Sequence, residues 1–234
     1  ANCYSVLNDK EKKSLLLVAT SGDTRSAVAN AFLGIKNVEA VILYPHNKVS
    51  PMQEKQFASL GENITALAVE GTFDDCQKLV KQAFLDEELK KTFQLSSANS
   101  INIARWLPQS VYYFYAYAQL KKQLEREAKP LVISVPTGNL GNLTAGLLAK
   151  KMGLPVSYFI AATNNNNTIP ELLRSGAYTP KSSVQTISNA MDVGDPSNYS
   201  RMLYLYNSAY DSICKDVKGV YIDDEATKTA LIDV

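Results

Sequence analysis

The sequence predicts an α/β protein with parallel sheets, because strand-like and helix-like segments alternate along most of its 234 residues. Two runs, Ser14–Thr20 and Leu131–Val135, are short and continuously apolar, as expected of strands that are buried on both faces. Helical patterns of about ten residues follow the strands, which favours right-handed βαβ units. A longer helical pattern at residues 101–124 divides the strands into two groups. We therefore predict two αβα layers that share a cleft.

The first group alternates strand and helix three times. Pro51 stands at the first position of its helix, where a missing amide hydrogen costs no bond. Asp74 and Asp75 fall in the first turn of another helix, where negative charge is favourable. The predicted strands are Ser14–Thr20, Ala40–Tyr44 and Ile64–Val69, and the predicted helices are Thr24–Phe32, Pro51 to about Leu60, and Phe73–Phe84.

The second group begins with the long helix, whose tyrosine-rich part is expected to be partly core. Pro108 falls inside this pattern, so we expect the helix either to bend there or to start later. The domain boundary is predicted between residues 102 and 103, giving domains 1–102 and 103–234. Further strands are predicted at Leu131–Val135 and Val156–Ala162, and further helices at Asn142–Met152, Ile169–Arg174 and Tyr199–Tyr210.

Composition excludes several classes of function. The chain has 24 Lys and Arg against 23 Asp and Glu, which gives no reason to expect a nucleic acid or an anionic membrane as a partner. Three scattered cysteines and one histidine, His46, argue against a metal site or a disulfide framework, and such thiols fit a cytoplasmic protein. No apolar run is long enough to span a membrane. Both ends of the chain look cut, and the oligomeric state is left open.

One glycine-rich turn lies between a predicted strand and a predicted helix. It reads Pro136-Thr137-Gly138-Asn139-Leu140-Gly141-Asn142. Its glycines would let the backbone approach an anion, and the amides of residues 140–142 would point outward at the positive end of the helix. The alternative is a tight turn that uses glycine only for its backbone freedom.

Two other polar turns are candidate binding sites. Residues 20–24 (TSGDT) either cap the following helix or form a substrate loop whose hydroxyls and amides bind a carboxylate. Residues 97–102 (SANSIN), followed by Arg105, form either a phosphate clamp or a polar helix cap with a surface arginine. Residues 164–167, all asparagine, are interpreted as a solvated or capping loop, and His46 as a surface residue rather than a catalytic base.

These segments together resemble the threonine synthase family of bacteria and fungi. The resemblance covers nearly all of residues 14–210 and is specific because its pieces occur in the right order on the right turns. They are TSGDT (20–24), ILYPHNKVSPMQEKQ (42–56), SANSINIAR (97–105), PTGNLGN (136–142), KKMGLPV (150–156), IAATN (160–164) and SNAMDVGDPSN (188–198).

The resemblance implies a fold, a cofactor and a reaction. The fold is the tryptophan-synthase-β type (fold type II), here truncated at both ends, and the cofactor is pyridoxal 5'-phosphate (PLP). The reaction implied is conversion of O-phosphohomoserine and water to threonine and phosphate. Residues 1–102 would carry the substrate loop and residues 103–234 the site of the cofactor phosphate.

The family's motifs also imply roles for individual residues. The residues implied to hold the PLP phosphate are Gly138, Asn139, Leu140, Gly141 and Asn142. Those implied to face the amino-acid part of the substrate are Ser21, Gly22, Asp23 and Thr24, and those implied to meet its phosphate are Asn99, Ser100 and Arg105.

The chain departs from the family at several positions. The family's catalytic lysine would lie upstream of Ala1, so no residue of this chain is assigned as catalytic, and the chain alone is expected to be inactive. Arg25 stands where glycine is usual, and Asn142 where aspartate is common. Two alternatives stay open: another PLP lyase of the same fold, and a non-catalytic relative that binds PLP or a phosphorylated amino acid.

Overall fold

The structure, a computed structural model, describes residues 12–19, 24–99, 102–127 and 129–232. It divides into two compact units, Ala1–Asn99 and Ser100–Val234. The boundary predicted from the sequence lies a few residues further along the chain. Within the described residues, no helix is long and apolar enough to cross a membrane.

The first unit contains a four-stranded parallel sheet in the order β3-β2-β1-β4. Its central strand β1 is buried at every residue after the first, as its continuous apolar sequence predicts. The strands are β1 (Lys13–Ala19), β2 (Val38–Pro45), β3 (Ile64–Val69) and β4 (Phe93–Ser97).

The helices of the first unit begin at residues that satisfy their free amides. Ser50 and Gln53 form a capping box at the start of one helix, and Thr72 and Asp75 form another. The acidic first turn predicted for the latter helix is confirmed. The helices are α1 (Thr24–Phe32), α2 (Pro51–Ala58), α3 (Phe73–Ala83) and α4 (Glu87–Thr92).

The second unit contains a three-stranded parallel sheet in the order β5-β6-β7. The strands are β5 (Val132–Pro136), β6 (Tyr158–Thr163) and β7 (Val217–Tyr221). The helices are α5 (Ile103–Glu127), α6 (Gly141–Lys151), α7 (Thr168–Ser175), α8 (Tyr199–Leu205), α9 (Tyr210–Asp216) and α10 (Asp224–Ile232), with one 3₁₀ turn at Asn189–Met191.

Aromatic side chains of α5 contribute to the core of the second unit. Tyr113, Phe114 and Tyr117 pack against its buried cluster, whereas Tyr112 and Tyr115 are exposed. The prediction that the tyrosine stripe is partly core is therefore confirmed. The ring of Tyr113 meets that of Phe159 on β6 edge to face, with ring centres 5.7 Å apart.

Three features differ from the predicted elements. Helix α5 begins at Ile103 and runs through Pro108, so the predicted later start is wrong. The single helix predicted at Tyr199–Tyr210 is also wrong, because left-handed backbone at Asn207 and Ser208 separates α8 from α9. Strands β4 and β7 and helices α4 and α10 have no counterpart among the predicted elements.

Gly146 tests the packing between α5, α6 and β6. Replacing glycine by alanine inside a helix usually stabilises it by about 1 kcal/mol. At this position, however, the added methyl would lie 2.8 Å from Cε1 of Phe159 and 2.9 Å from Cζ of Tyr113. We expect Gly146→Ala to lower the free energy of unfolding by about 1–2 kcal/mol, measured by denaturant titration. An increase in that free energy would contradict this account of the packing.

Candidate functional site

The carboxyl edge of the first sheet is the place where two of the predicted turns follow their strands. In the order β3-β2-β1-β4, strands β2 and β3 are added in turn on one side of β1, and β4 is added on its other side. Ligands of open α/β sheets bind where the strand order reverses in this way. Strand β1 ends at Ala19 and β4 ends at Ser97, so the chain leaves both strands at this edge of the sheet.

Asn99 joins the ends of these two strands. Its side chain is 4% exposed, and its Oδ1 accepts a hydrogen bond of 2.9 Å from the amide of Ala19, the last residue of β1. Its own amide donates to Oγ of Ser97 at 3.2 Å. The side-chain oxygen of Asn99 therefore fixes the point at which the chain leaves β1 for the predicted substrate loop.

Several predicted site residues lie outside the described residues. These are Ser21, Gly22, Asp23 and Ser100, together with the side chain of Arg25. Thr24 is described and is the first residue of α1, where it is half-buried. The substrate roles predicted for these residues stay predictions.

Arg105 lies in the first turn of α5, directly after a polar cap. Asn102 accepts at Oδ1 from the amide of Ala104 (3.0 Å) and at its carbonyl from the amide of Arg105 (2.9 Å), so its predicted capping role is confirmed. Burial lowers the pKa of the Arg105 guanidinium from its ordinary value. The group is half-buried rather than fully on the surface, which is a setting that favours binding an anion.

The glycine-rich turn of the second unit leads into a helix whose N-cap residue provides no side-chain cap. Leu140 is this N-cap residue of α6 and has left-handed backbone (φ 62°), and its side chain is fully buried. The leucine makes no capping hydrogen bond, and in the first turn the side chain of Asn142 accepts from the amide of Leu143. Because the first amides of an α-helix have no partner within the helix, this end can bind an anion.

Asn142 braces this turn from inside. Its Oδ1 accepts from Oγ1 of Thr137 (2.7 Å) and from the amide of Leu143 (2.9 Å), and its Nδ2 donates to the carbonyl of Pro136 (2.8 Å). The hydroxyl of Tyr113 donates to the carbonyl of Asn142 at 2.8 Å. Burial raises the pKa of Tyr113 to about 12, so the hydroxyl keeps its proton as a donor at neutral pH. The side chain of Asn142 thus holds the turn together.

A later segment covers the other side of the same turn. A Cβ atom on Gly138 would lie 2.8 Å from Cα of Met191, so only glycine fits against this neighbour. Oδ1 of Asn139 accepts from the amide (2.7 Å) and the hydroxyl (2.9 Å) of Ser197. Nδ2 of Asn198 donates to the carbonyl of Asn139 at 2.9 Å.

The asparagine run after β6 is not solvated throughout, which corrects the predicted loop. Asn164 is 3% and Asn166 is 8% exposed. Oδ1 of Asn164 accepts from the amide of Asn166 at 3.0 Å, and both side chains donate to the carboxylate of Asp192. Buried polar groups that are paired in this way fix the positions of the segments they join.

Other candidate chemistry is limited. His46 pairs through Nδ1 with the exposed carboxylate of Glu70 at 2.5 Å, and both follow strands of the first sheet. Among the described residues, no three His, Cys, Asp or Glu side chains are grouped in a way that could hold a metal ion.

The match to a known family covers almost the whole chain. Residues 2–232 match the family described as pyridoxal-phosphate dependent enzyme. The chain belongs to this family. The loops that lie after β1, β4 and β5 are therefore those of a pyridoxal-phosphate-dependent enzyme, as the resemblance of their motifs predicts.

Within this family the chain is most usefully compared with threonine synthases. The threonine synthase of Buchnera aphidicola subsp. Baizongia pistaciae is 53% identical over 232 residues, which cover 99% of this chain and 53% of that protein. The crystal structure of threonine synthase from Escherichia coli matches with a TM-score of 0.88 and 52% identity, covering 95% of this chain and 51% of the other. That of PLP-bound threonine synthase from Brucella melitensis matches with a TM-score of 0.73 and 36% identity, over 92% and 51%. The predicted fold type is confirmed, and the chain spans about half the length of these relatives.

Sequence reasoning missed part of the surroundings of the glycine-rich turn. The sequence motifs assign no role to the segment SNAMDVGDPSN, and they predict only a loop at Asn164 and Asn166. The signal for this buried network in the sequence is a run of asparagines directly after a buried strand of this family. An asparagine side chain can donate a hydrogen bond to a distant carboxylate as readily as it can to water. Its partner, Asp192, cannot be identified from spacing.

Asn99 provides a test of the connection between β1 and β4. Truncation in Asn99→Ala would leave the buried amide of Ala19 without its acceptor, so we expect the free energy of unfolding to fall by about 1–3 kcal/mol. The matched control is Asn30→Ala, an exposed asparagine on α1, which should change that free energy by less than about 0.5 kcal/mol. Equal effects of the two substitutions in chemical denaturation would contradict the bridging role.

Proposed function

We propose that the complete gene product carrying this chain is a threonine synthase, which converts O-phosphohomoserine and water to threonine and phosphate. The observation that carries the proposal is the start of α6, whose N-cap residue Leu140 has left-handed backbone and no capping side chain, in a chain about 50% identical to enzymes named threonine synthase. The half-buried guanidinium of Arg105 and the polar turns after β1 and β4 add the groups that a phosphorylated amino acid requires.

The cofactor fits the glycine-rich turn. A phosphate group needs several donors, and the start of α6 offers backbone amides without partners inside the helix, together with the positive end of the helix dipole. We assign the PLP phosphate to residues 138–142. When bound, PLP withdraws electrons from the substrate's carbon atoms and so makes their protons easier to remove. The residues of this turn hold and orient the cofactor, and Asn142 and Tyr113 keep the turn in shape.

The substrate would be bound by residues of the two other turns. The hydroxyls and amides of Ser21, Gly22, Asp23 and Thr24 would hold its amino-acid part. Asn99, Ser100 and Arg105 would bind its phosphate, with Arg105 contributing a planar fork that matches two phosphate oxygens. This arrangement stabilises negative charge on the phosphate as it leaves.

Two other functions are weaker candidates. Another PLP lyase of the same fold would release ammonia rather than phosphate, and the TSGDT and SANSIN motifs argue against it. A non-catalytic relative would bind O-phosphohomoserine without turning it over, and the threonine synthases that match the chain do not favour it. A cytoplasmic location belongs to the proposal because the three cysteines of the sequence are scattered and form no CxxC pair.

The reaction products distinguish these functions. We expect the complete gene product, supplied with PLP and O-phosphohomoserine, to release phosphate and threonine in equal amounts. Release of ammonia with formation of a keto acid would identify a different lyase. Tight binding of O-phosphohomoserine with no product formed would identify a non-catalytic relative.

Arg105 tests the assignment of the substrate phosphate. Lysine keeps the positive charge but loses the planar fork of the guanidinium. We therefore expect Arg105→Lys to raise the KM for O-phosphohomoserine about 10- to 100-fold, which corresponds to the loss of one hydrogen bond to a charged group. Steady-state kinetics with phosphate detection measure the effect, and Arg174→Lys, at an exposed arginine on α7, is the matched control. An unchanged KM for Arg105→Lys would remove Arg105 from the proposed site.

A further inference from the structure

The carboxylate of Asp192 is the meeting point of a hydrogen-bond network in the second unit. Its Oδ1 accepts from Oγ1 of Thr186 (2.7 Å), from Nδ2 of Asn164 (2.8 Å) and from Nδ2 of Asn166 (3.2 Å). Its Oδ2 accepts from the amide of Thr186 at 3.0 Å. Each of these four contacts comes from a donor, which is the pattern that suits an ionised carboxylate.

This network is attached to the sheet through Asn164. Asn164 follows β6 directly, and β6 is paired with β5, the strand that leads into the glycine-rich turn. Nδ2 of Asn164 also donates to Oγ1 of Thr186 at 2.8 Å, and that hydroxyl in turn donates to Asp192. The same hydroxyl accepts from the amide of Ser188 at 3.1 Å. The network therefore ties the segment around residues 186–192 to the carboxyl end of β6.

The same stretch of chain, continued to residue 198, covers the glycine-rich turn. We call residues 186–198 the clamp segment. Met191, next to Asp192, lies against Gly138 so closely that no Cβ atom fits between them. Ser197 and Asn198 hold Asn139 through three hydrogen bonds of 2.7–2.9 Å. The hydrogen bonds of Asp192 come from Asn164, Asn166 and Thr186, so any effect it has on residues 138–142 passes through the clamp segment.

We propose that Asp192 is a positioning residue that fastens the clamp segment to β6 and thereby holds residues 138–142 in the shape that binds the cofactor phosphate. The inference rests on the proposed function, because it presumes that the glycine-rich turn binds PLP. It goes further by giving a role to a residue that meets neither cofactor nor substrate.

The hydrogen-bond donors around Asp192, rather than its electrostatic surroundings, explain why a carboxylate is required. Burial raises the pKa of Asp192, and the hydrogen bonds from Thr186 and Asn164 act in the opposite direction. Asp224, which accepts from the amide of Ile187, lies near enough to oppose the charge of Asp192. In Asp192→Asn the side chain keeps its size, but an amide NH₂ replaces one carboxylate oxygen. This NH₂ is a donor, and it faces neighbouring groups that are donors themselves and need an acceptor. Such a change loosens the network without creating a cavity.

The phosphate-dependent part of cofactor binding measures the proposed role. In the complete gene product, the dissociation constants of PLP and of pyridoxal, which lacks the phosphate, are compared by equilibrium dialysis. We expect the unmodified protein to prefer PLP by at least tenfold. In Asp192→Asn we expect this preference to fall at least tenfold, with the affinity for pyridoxal little changed. If Asp192 only stabilised the fold, its substitution would weaken the binding of PLP and of pyridoxal together.

The matched control is Asp211→Asn. Asp211 lies in the first turn of α9, outside the clamp segment, and is exposed. Its substitution should leave the preference for PLP unchanged. If Asp192→Asn fails to fold, Thr186→Val is the milder variant, because it removes one hydroxyl of the network, and the preference for PLP should fall at least threefold.

Amide hydrogen exchange provides a second readout without any ligand. We expect residues 138–142 to exchange faster in Asp192→Asn or Thr186→Val, while α3 in the first unit exchanges at an unchanged rate. The inference, but not the proposed function, would be overturned by the following result: the unmodified protein prefers PLP, and the variants keep both this preference and slow exchange at residues 138–142. An unmodified protein with no preference for PLP over pyridoxal would overturn the proposed function as well.

Discussion

The left-handed backbone of Leu140 is the constraint on which the candidate cofactor site depends. Such a conformation costs a residue with a side chain about 1–2 kcal/mol, and glycine would adopt it more easily. The full burial of the leucine side chain offsets this cost, because it contributes a comparable amount of apolar burial. The chain therefore passes from β5 into α6 through an N-cap residue that provides no capping side chain for the helix. Strain held in place by the surrounding packing is typical of binding sites.

The parts of the fold predicted correctly are those whose signal is local. Strand β1 is buried along a continuous apolar run, and the glycine-rich turn lies between an apolar strand and a helix, so neither needs knowledge of a distant partner. Strand β4 is short and only partly apolar, and what makes it a strand is its pairing with β1, whose partner residues lie 80 positions earlier in the chain. Such pairing is set by tertiary context rather than by local propensity.

The candidate site shows the same division between features with a local signal in the sequence and features that depend on distant partners. The glycine-rich turn was identified from its residues, but what holds it in place was not. Asn164 looks like a loop residue in the sequence, and only its bond to Asp192, 28 positions later, makes it part of a buried network. Likewise Asn99 looks like a helix cap or a ligand, and the structure shows its oxygen bonded to the last amide of β1. Polar side chains have several possible partners, and burial selects among them.

A crystal structure of the complete gene product with PLP is the most direct test of the account. The account predicts that the phosphate oxygens lie within 2.7–3.2 Å, the ordinary hydrogen-bond range, of backbone amides among residues 138–142. It also predicts that Leu140 keeps its left-handed backbone and that the clamp segment stays against Gly138. A phosphate bound away from these amides, or amides of residues 140–142 that are capped by protein side chains, would contradict this assignment of the cofactor phosphate.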